Sequence, residues 1–184
     1  MKTVSIVAIA LALVGAGAAV GQQANILDRA INTPGIAYSF YGDGQTAKVV
    51  RDAAVAGGQA YRVTIARKGA TAYEIGASAP IGKAINKGDT VVMAVWLRAP
   101  KLAAGETTPV PFLGVVGPAP AYAPIASGSA DVTPEWKLFN ARGVAAADVP
   151  AGQAGVTLHL AAAKAVLDLG PVFVLDLGKT GPER

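Results

Sequence analysis

Glycine and proline divide this chain into short apolar runs, and that division constrains the fold more than any other feature. Among 184 residues there are 22 Gly and 12 Pro, spread throughout. Alanine is plentiful and would favour helix on propensity alone. After residue 20, however, no window sustains the i, i+3, i+4, i+7 apolar stripe of an amphipathic helix. Short apolar runs separated by turn residues instead predict an all-β sandwich or barrel.

Individual strands are marked by the alternation of apolar and polar residues. The run 61–67 (YRVTIAR) alternates as a half-buried strand does. The run 90–98 (TVVMAVWLR) is apolar on both faces and therefore predicts a central strand. We also expect one short helical turn at 144–149. The predicted strands cover 36–41, 48–52, 61–67, 72–78, 90–98, 110–116, 136–141, 156–161, 166–169 and 172–177.

The first twenty residues are typical of a secretory signal peptide. Lys2 gives a positive start, residues 5–14 (SIVAIALALV) are apolar, and small residues follow. The apolar run is shorter than the about 20 residues that a membrane-spanning helix needs. We therefore expect residues 1–19 to be removed, with cleavage after Ala18 or Ala19, and the mature protein to be periplasmic or extracellular. A retained N-terminal anchor helix is the alternative.

Composition bounds the mature chain to one domain and excludes several functions. The chain has no Cys, which excludes disulfides, thiolate catalysis and Cys-ligated zinc. The whole chain has 16 basic and 12 acidic side chains, and removal of Lys2 with the signal peptide lowers the basic count by one. The basic side chains form no run, so neither nucleic-acid binding nor polybasic membrane binding is indicated. We expect a single domain at 25–178 and a frayed tail at 179–184.

The order of several short motifs resembles a known family. It is similar to the galactose-binding-like jelly-roll carbohydrate-binding modules attached to xylanases and related polysaccharide-degrading enzymes, over residues 25–178. The resemblance implies a two-sheet antiparallel jelly-roll sandwich that binds a polysaccharide or glycan without catalysis. The motifs are Tyr61-Arg62-Val63, Tyr73-Glu74, Lys87-Gly88-Asp89 before VMAVWLR, Thr133-Pro134-Glu135-Trp136-Lys137, VTLHLA and DLGPVFVLD.

The resemblance places an aromatic residue at Tyr73, and sugar binding needs flat rings beside a few polar groups. We predict a ligand-binding site in which Tyr73 stacks, Glu74 and Arg98 bind sugar hydroxyls, and Trp96 forms a cleft wall. Such a site would lie on a concave sheet face or at loop tips. Alternation leaves open that Tyr73 and Trp96 pack in the core instead. Trp136 is interpreted as a packing residue.

Other aromatic residues are weaker candidates for binding. Tyr38 and Phe40 share one face of their run, whereas Tyr41 points the other way. Tyr41 lies next to a turn, and Tyr122 lies in the proline-rich stretch 117–124. Each is interpreted as a loop anchor, unless several exposed rings cluster on one surface.

Catalysis and metal binding have little support in the sequence. His159 is the sole His and lies in mid-strand, and no G-x-S-x-G surrounds Ser127 or Ser129. We expect no catalytic residue, no cofactor and no metal. Two alternatives stay open: a structural or adhesive envelope domain, with an envelope or enzyme partner, and a small glycan-modifying hydrolase. Asp43, Asp131, Asp168 and Asp176 could supply oxygen ligands for calcium, but the sequence has no dense Asp/Asn/Gly loop.

Overall fold

A computed structural model describes residues 26–179. The predicted signal peptide and residues 180–184 of the predicted tail lie outside this range. Within it, no helix is long and apolar enough to cross a membrane. Three short 3-10 turns cover Ile26–Arg29, Ala56–Gly58 and Ala72–Glu74. The strands are β1 (Ser39–Tyr41), β2 (Gln45–Arg51), β3 (Gln59–Ile65), β4 (Gly76–Pro80), β5 (Thr90–Arg98), β6 (Thr108–Val116), β7 (Pro124–Val132), β8 (Lys137–Val144), β9 (Gly155–His159) and β10 (Ala165–Asp176).

The strands form an antiparallel jelly-roll sandwich of two layers, which confirms the predicted fold class. The strands are hydrogen-bonded in one continuous order, β1-β4-β9-β6-β7-β8-β5-β10-β3-β2. We divide this order where the pairing is weakest, between β7 and β8, into a first sheet (β1-β4-β9-β6-β7) and a second sheet (β8-β5-β10-β3-β2). The two sheets join at a corner, where β7 and β8 share one paired position, Ser127 with Arg142. At this corner a Cβ on Gly143 would overlap the backbone oxygen of Ile125, so only glycine allows the two strands to approach so closely.

The hydrophobic core lies between the sheets, because each strand buries alternate residues. In β5, Val91, Met93, Val95 and Leu97 are completely buried, while the alternate residues on the outer face are half-buried. β5 lies between β8 and β10, as predicted for a strand that is apolar on both faces. The side chains that remain for function are therefore those on the two outer faces and in the loops.

Strand boundaries were predicted less well. The run 72–78 is not one strand: residues 72–74 form a 3-10 turn, and β4 begins only at Gly76. The helical turn expected at 144–149 is also wrong, since Val144 ends β8 and Val149 bridges to Ile85. The two last predicted strands are one strand, β10, whose register shifts between Leu169 and Val172.

One strand was missed. The stretch PIASGSADV forms β7, which none of the predicted strands covers. Its residues are small and weakly apolar, so alternation gives little signal. Its place in the sheet comes from pairing with β6 along most of its length. The missed strand is essential for the site described next, because it carries Ser127 onto the outer face of the first sheet.

Candidate functional site

Four strands of the first sheet bring a row of residues into register across its outer face. Tyr41 of β1 pairs with Gly76 of β4, and Gly76 pairs with His159 of β9. His159 in turn pairs with Phe112 of β6. Neighbouring strands lie about 4.8 Å apart, so the row extends about 14 Å across the sheet. Three of its four positions carry a ring, and the fourth is a glycine.

Two rings of this row, His159 and Phe112, contact each other, and Tyr73 extends the pair. The imidazole of His159 stacks on Phe112, with ring centroids 4.8 Å apart and an interplanar angle of 29°. Tyr73 meets His159 edge-on, with centroids 5.9 Å apart. Tyr73 is 61% exposed, so the alternative in which it packs in the core is wrong. Its ring is instead an accessible apolar surface beside the row.

Two glycines let the rings lie close to the sheet. A Cβ on Gly76 would overlap the phenol of Tyr41, so the Tyr41 ring occupies the space above that glycine. On Gly114, two residues after Phe112, a Cβ would lie 3.2 Å from Cζ of the Phe112 ring. A side chain at Gly76 would therefore displace the Tyr41 ring, whereas a side chain at Gly114 would first overlap the backbone oxygen of Ala126.

A second row, of small polar residues, runs parallel to the rings. Ser39 pairs with Ser78, Ser78 with Thr157, and Thr157 with Gly114, which pairs in turn with Ser127. Adjacent residues on one face of a strand are about 7 Å apart, so this row lies directly beside the aromatic one. Its members are uncharged, and four of the five carry a hydroxyl group.

The loop between β6 and β7 carries a further exposed ring, that of Tyr122. A hydrogen bond from the N–H of Gly117 to the oxygen of Ala123 closes this loop, with a distance of 2.9 Å. Burial and, secondarily, the nearby phenol of Tyr122 raise the pKa of Tyr41 above its ordinary value. Tyr122 is 59% exposed. We call the surface formed by five rings the aromatic face: Tyr41, Tyr73, Phe112, Tyr122 and His159.

Glu74 holds the turn that presents Tyr73. Its Oε2 accepts a hydrogen bond from the N–H of Ala70, and its Oε1 accepts one from the N–H of Thr71, both 3.1 Å long. Thr71 and Glu74 form a capping box. Glu74 was predicted to bind sugar hydroxyls, and its carboxylate instead has two backbone partners. The sequence Thr71-x-x-Glu74 is the usual signature of such a cap, so this role of Glu74 could have been predicted from the sequence.

Trp96 and Arg98 lie on the opposite outer face of the sandwich. Both belong to the outer side of β5 in the second sheet, whereas Tyr73 contacts β9 in the first sheet. The structure therefore does not bring the four predicted site residues to one surface. Tyr73 and Glu74 remain together, and Trp96 and Arg98 form part of a different cluster. Trp96 is half-buried, and its Nε1 is buried with no hydrogen-bond partner among the described residues.

That cluster is centred on Asp168, whose side chain is fully buried. Arg62 donates to both oxygens of Asp168, at 2.7 and 2.8 Å, and Nε of Arg98 donates to Oδ2 at 2.8 Å. A terminal nitrogen of Arg98 also lies 2.5 Å from Asp52. Two arginines face two aspartates, so the charges of the cluster are balanced. A buried carboxylate requires such partners, because its desolvation is otherwise very unfavourable.

Trp136 covers the cluster, which agrees with its interpretation as a packing residue. The guanidinium carbon of Arg98 lies 4.7 Å from the Trp136 ring centroid, a cation–π geometry. Nε1 of Trp136 donates to Asp52 at 3.3 Å. A hydrogen bond from the N–H of Ala54, with contributions from Trp136 and Arg98, lowers the pKa of Asp52. The charged groups of the cluster and Nε1 of Trp136 are thus bound to one another, whereas, among the described residues, Nε1 of Trp96 is not.

A cleft of about 450 Å³ lies between the segment before β1 and the end of β4. Its walls are mostly apolar, and its buried polar side chain is Asn32. The amide of Asn32 accepts from the N–H of Val174 at 2.7 Å and donates to the oxygen of Val172 at 3.1 Å. These bonds join the segment to β10, so the amide of Asn32 is not free to bind a ligand in the cleft.

The sole His of the chain and the acidic side chains were the candidates for chemistry at a metal or a base. Within 26–179, no group of three or more His, Asp or Glu side chains is placed to hold a metal ion. In the same range, the contacts of the His159 imidazole are with the rings of Phe112 and Tyr73. Burial lowers the pKa of His159 below its ordinary value of 6.5.

Comparison with known proteins identifies the fold. No protein-family model matches the sequence, and no curated protein matches it. Among solved structures, a CBM4 module is 18% identical, with a TM-score of 0.56, covering 85% of this chain and 92% of that one. The CBM22-1 xylan-binding domain of Paenibacillus barcinonensis Xyn10C is 14% identical, with a TM-score of 0.50, covering 82% and 99%.

A third structure shows the same fold as part of a longer chain. It comprises the CBM22-1 and GH10 modules of the Clostridium thermocellum endo-1,4-beta-D-xylanase 10B, complexed with xylohexaose. It is 15% identical, with a TM-score of 0.52, and the match covers 80% of this chain but 27% of that one. Residues 26–179 therefore have the jelly-roll fold seen in these carbohydrate-binding modules.

Proposed function

We propose that this protein binds a glycan chain on the aromatic face and does not transform it. The observation that carries the proposal is the register of the first sheet, which sets a row of rings beside a row of hydroxyl groups. Pyranose rings present apolar C–H faces and polar hydroxyl edges, so a surface with these two rows in parallel complements them. Stacking on aromatic faces and hydrogen bonding at the ring edges then act together.

Several features of the aromatic face support binding of a chain rather than of a single sugar. The ring row extends about 14 Å across the strands, which exceeds the length of one pyranose. Tyr73 and Tyr122 are both well exposed. Exposed rings that cluster on one surface are unfavourable in water and mark interaction sites. The likeness to CBM4 and CBM22 modules, one of them in a structure complexed with xylohexaose, also supports binding of a glycan chain.

We propose further that binding takes place outside the cytoplasm. The support is the sequence of the first twenty residues, with Lys2, an apolar run and small residues before Ala18 and Ala19. An exported glycan-binding protein would meet envelope or extracellular polysaccharides directly. Labelling of cell fractions with an antibody against the protein would test this; a cytoplasmic pool alone would contradict export.

Binding is tested by calorimetry and a glycan array, with xylohexaose as the first probe. Tyr73→Ala removes the most exposed ring and should weaken binding about tenfold, equivalent to roughly 1.4 kcal/mol. Val49→Ala is the matched control, because Val49 is 49% exposed on the edge strand β2 of the other sheet. Equal affinities for the two variants would remove Tyr73 from the site. Absence of binding to every glycan would contradict the proposed function.

A further inference from the structure

The row of small polar residues does not end in a neutral residue. Ser127 of β7 pairs with Arg142 of β8, so the register that links Ser39, Ser78, Thr157 and Gly114 continues to a guanidinium group. Arg142 occupies the outer face, like its neighbour Val92 on β5. The row is therefore uncharged along the first sheet and positively charged where that sheet meets the second.

Arg142 is exposed and has no acidic partner in the described part of the chain. The ion pairs of residues 26–179 join Arg62 and Arg98 to Asp52 and Asp168, at the end of β5 that carries Arg98, six residues along the strand from Val92, the neighbour of Arg142. This contrast is informative, because the two arginines of the cluster are fixed by carboxylates. The five donors of Arg142 remain available to an incoming acceptor.

We propose that Arg142 forms a subsite for an anionic substituent of the bound glycan, a uronic-acid carboxylate or a sulfate ester. This inference rests on the proposed function and adds a preference to it. A guanidinium presents two parallel N–H groups that match the two oxygens of a carboxylate, or two oxygens of a sulfate. A glycan chain that lies along the hydroxyl row reaches Arg142 where β7 meets β8. An acidic unit at that position gains a charge-assisted interaction that a neutral unit lacks.

The subsite should act through charge and should therefore depend on salt. Exposed ion pairs contribute little in high dielectric and weaken as ionic strength rises. We expect acidic oligosaccharides to bind about fivefold more tightly than their neutral counterparts at low salt, and the difference to shrink at high salt. Stacking on Tyr73 contributes to both ligands equally, so it does not create the preference.

The test uses an array of oligosaccharide pairs that differ only in a C6 carboxylate instead of a C6 hydroxymethyl, together with sulfated counterparts. Wild-type protein and the variants Arg142→Gln, Arg142→Lys and Arg51→Gln are compared at low and high salt. Arg51 is the matched control, since it is an exposed arginine on β2, at the far edge of the second sheet. The carboxylate and sulfate arms identify the source of the negative charge.

The expected result is a preference for acidic members that Arg142→Gln abolishes, that Arg142→Lys reduces because lysine keeps the charge but not the two parallel N–H groups, and that Arg51→Gln retains in full. Neutral members should bind Arg142→Gln and wild type equally. The inference is overturned if wild type binds both members of every pair equally, or if Arg142→Gln keeps the preference. Neutral binding that Tyr73→Ala weakens would preserve the proposed function in that case, so the two failures are distinguishable. Absence of all binding overturns both.

Discussion

Replacing Asp168 by Asn tests the view that the cluster on the second sheet is structural. The substitution keeps the size of the side chain but removes its charge, and it offers an amide N–H where a carboxylate oxygen accepted. Asp168 is fully buried and accepts three hydrogen bonds from Arg62 and Arg98. In the variant, one or more of these guanidinium donors faces another donor in a site that water reaches poorly.

The expected loss of stability follows from the burial of the three groups. Removing one partner of a fully buried ion pair costs about 3–5 kcal/mol. The side chains of Arg62 and Arg98 are 28% and 20% exposed, so water compensates part of the lost interaction. Arg98 also keeps Asp52 as a partner. We therefore expect Asp168→Asn to lower the free energy of unfolding by about 2–4 kcal/mol.

Urea unfolding followed by tryptophan fluorescence measures this change, because Trp136 covers the cluster. Asp131→Asn is the control: Asp131 is exposed, and its substitution should change the free energy of unfolding by less than about 0.5 kcal/mol. Folded Asp168→Asn should bind glycan as wild type does, because Asp168 belongs to the second sheet and the aromatic face lies on the first. A stability loss below about 1 kcal/mol, or weakened glycan binding by folded protein, would refute the reasoning.

Two further predictions concern the aromatic face. Burial lowers the pKa of His159 from its ordinary value of 6.5, so the neutral imidazole is the form present in the folded site at neutral pH. A sugar that covers the ring favours that form further, so affinity should be constant at neutral pH and fall only as pH decreases through the lowered pKa. Calorimetry on His159→Gln should give a flat profile over the same range. Glu74→Ala should weaken glycan binding about fivefold by releasing the turn that holds Tyr73. Glu74→Gln can still accept a hydrogen bond there and should bind more tightly than Glu74→Ala. Equal affinity of Glu74→Ala and wild type would show that the cap does not position the ring.

The sequence predicted the sandwich because its strongest signals are local. Alternation in the run that became β3, and the apolar run of β5, reflect burial on one face or both, and both strands form as expected. Tyr38 is buried, Phe40 packs against the core, and Tyr41 points outward, as their alternation predicted. These assignments depend on the period of a strand and need no knowledge of which strands are neighbours.

The site could be predicted only in part, because it depends on pairing between distant strands. Tyr73 was identified as a candidate, but its neighbour in space is His159, 86 residues later in the chain. The pairing of β4 with β9 and of β9 with β6 creates both rows, and no local pattern contains it. For the same reason Trp96 was grouped with Tyr73, although the two lie on opposite faces.

The most direct test of the central claim is an NMR titration of ¹⁵N-labelled protein with a glycan that the array identifies. The account predicts that amide signals of His159, Thr157, Ser78 and the turn carrying Tyr73 shift with ligand, while those of Arg62 and its neighbours on β3 stay unchanged. Shifts confined to the outer face of the second sheet, around Trp96 and Arg98, would contradict the account and return the site to that side of the sandwich.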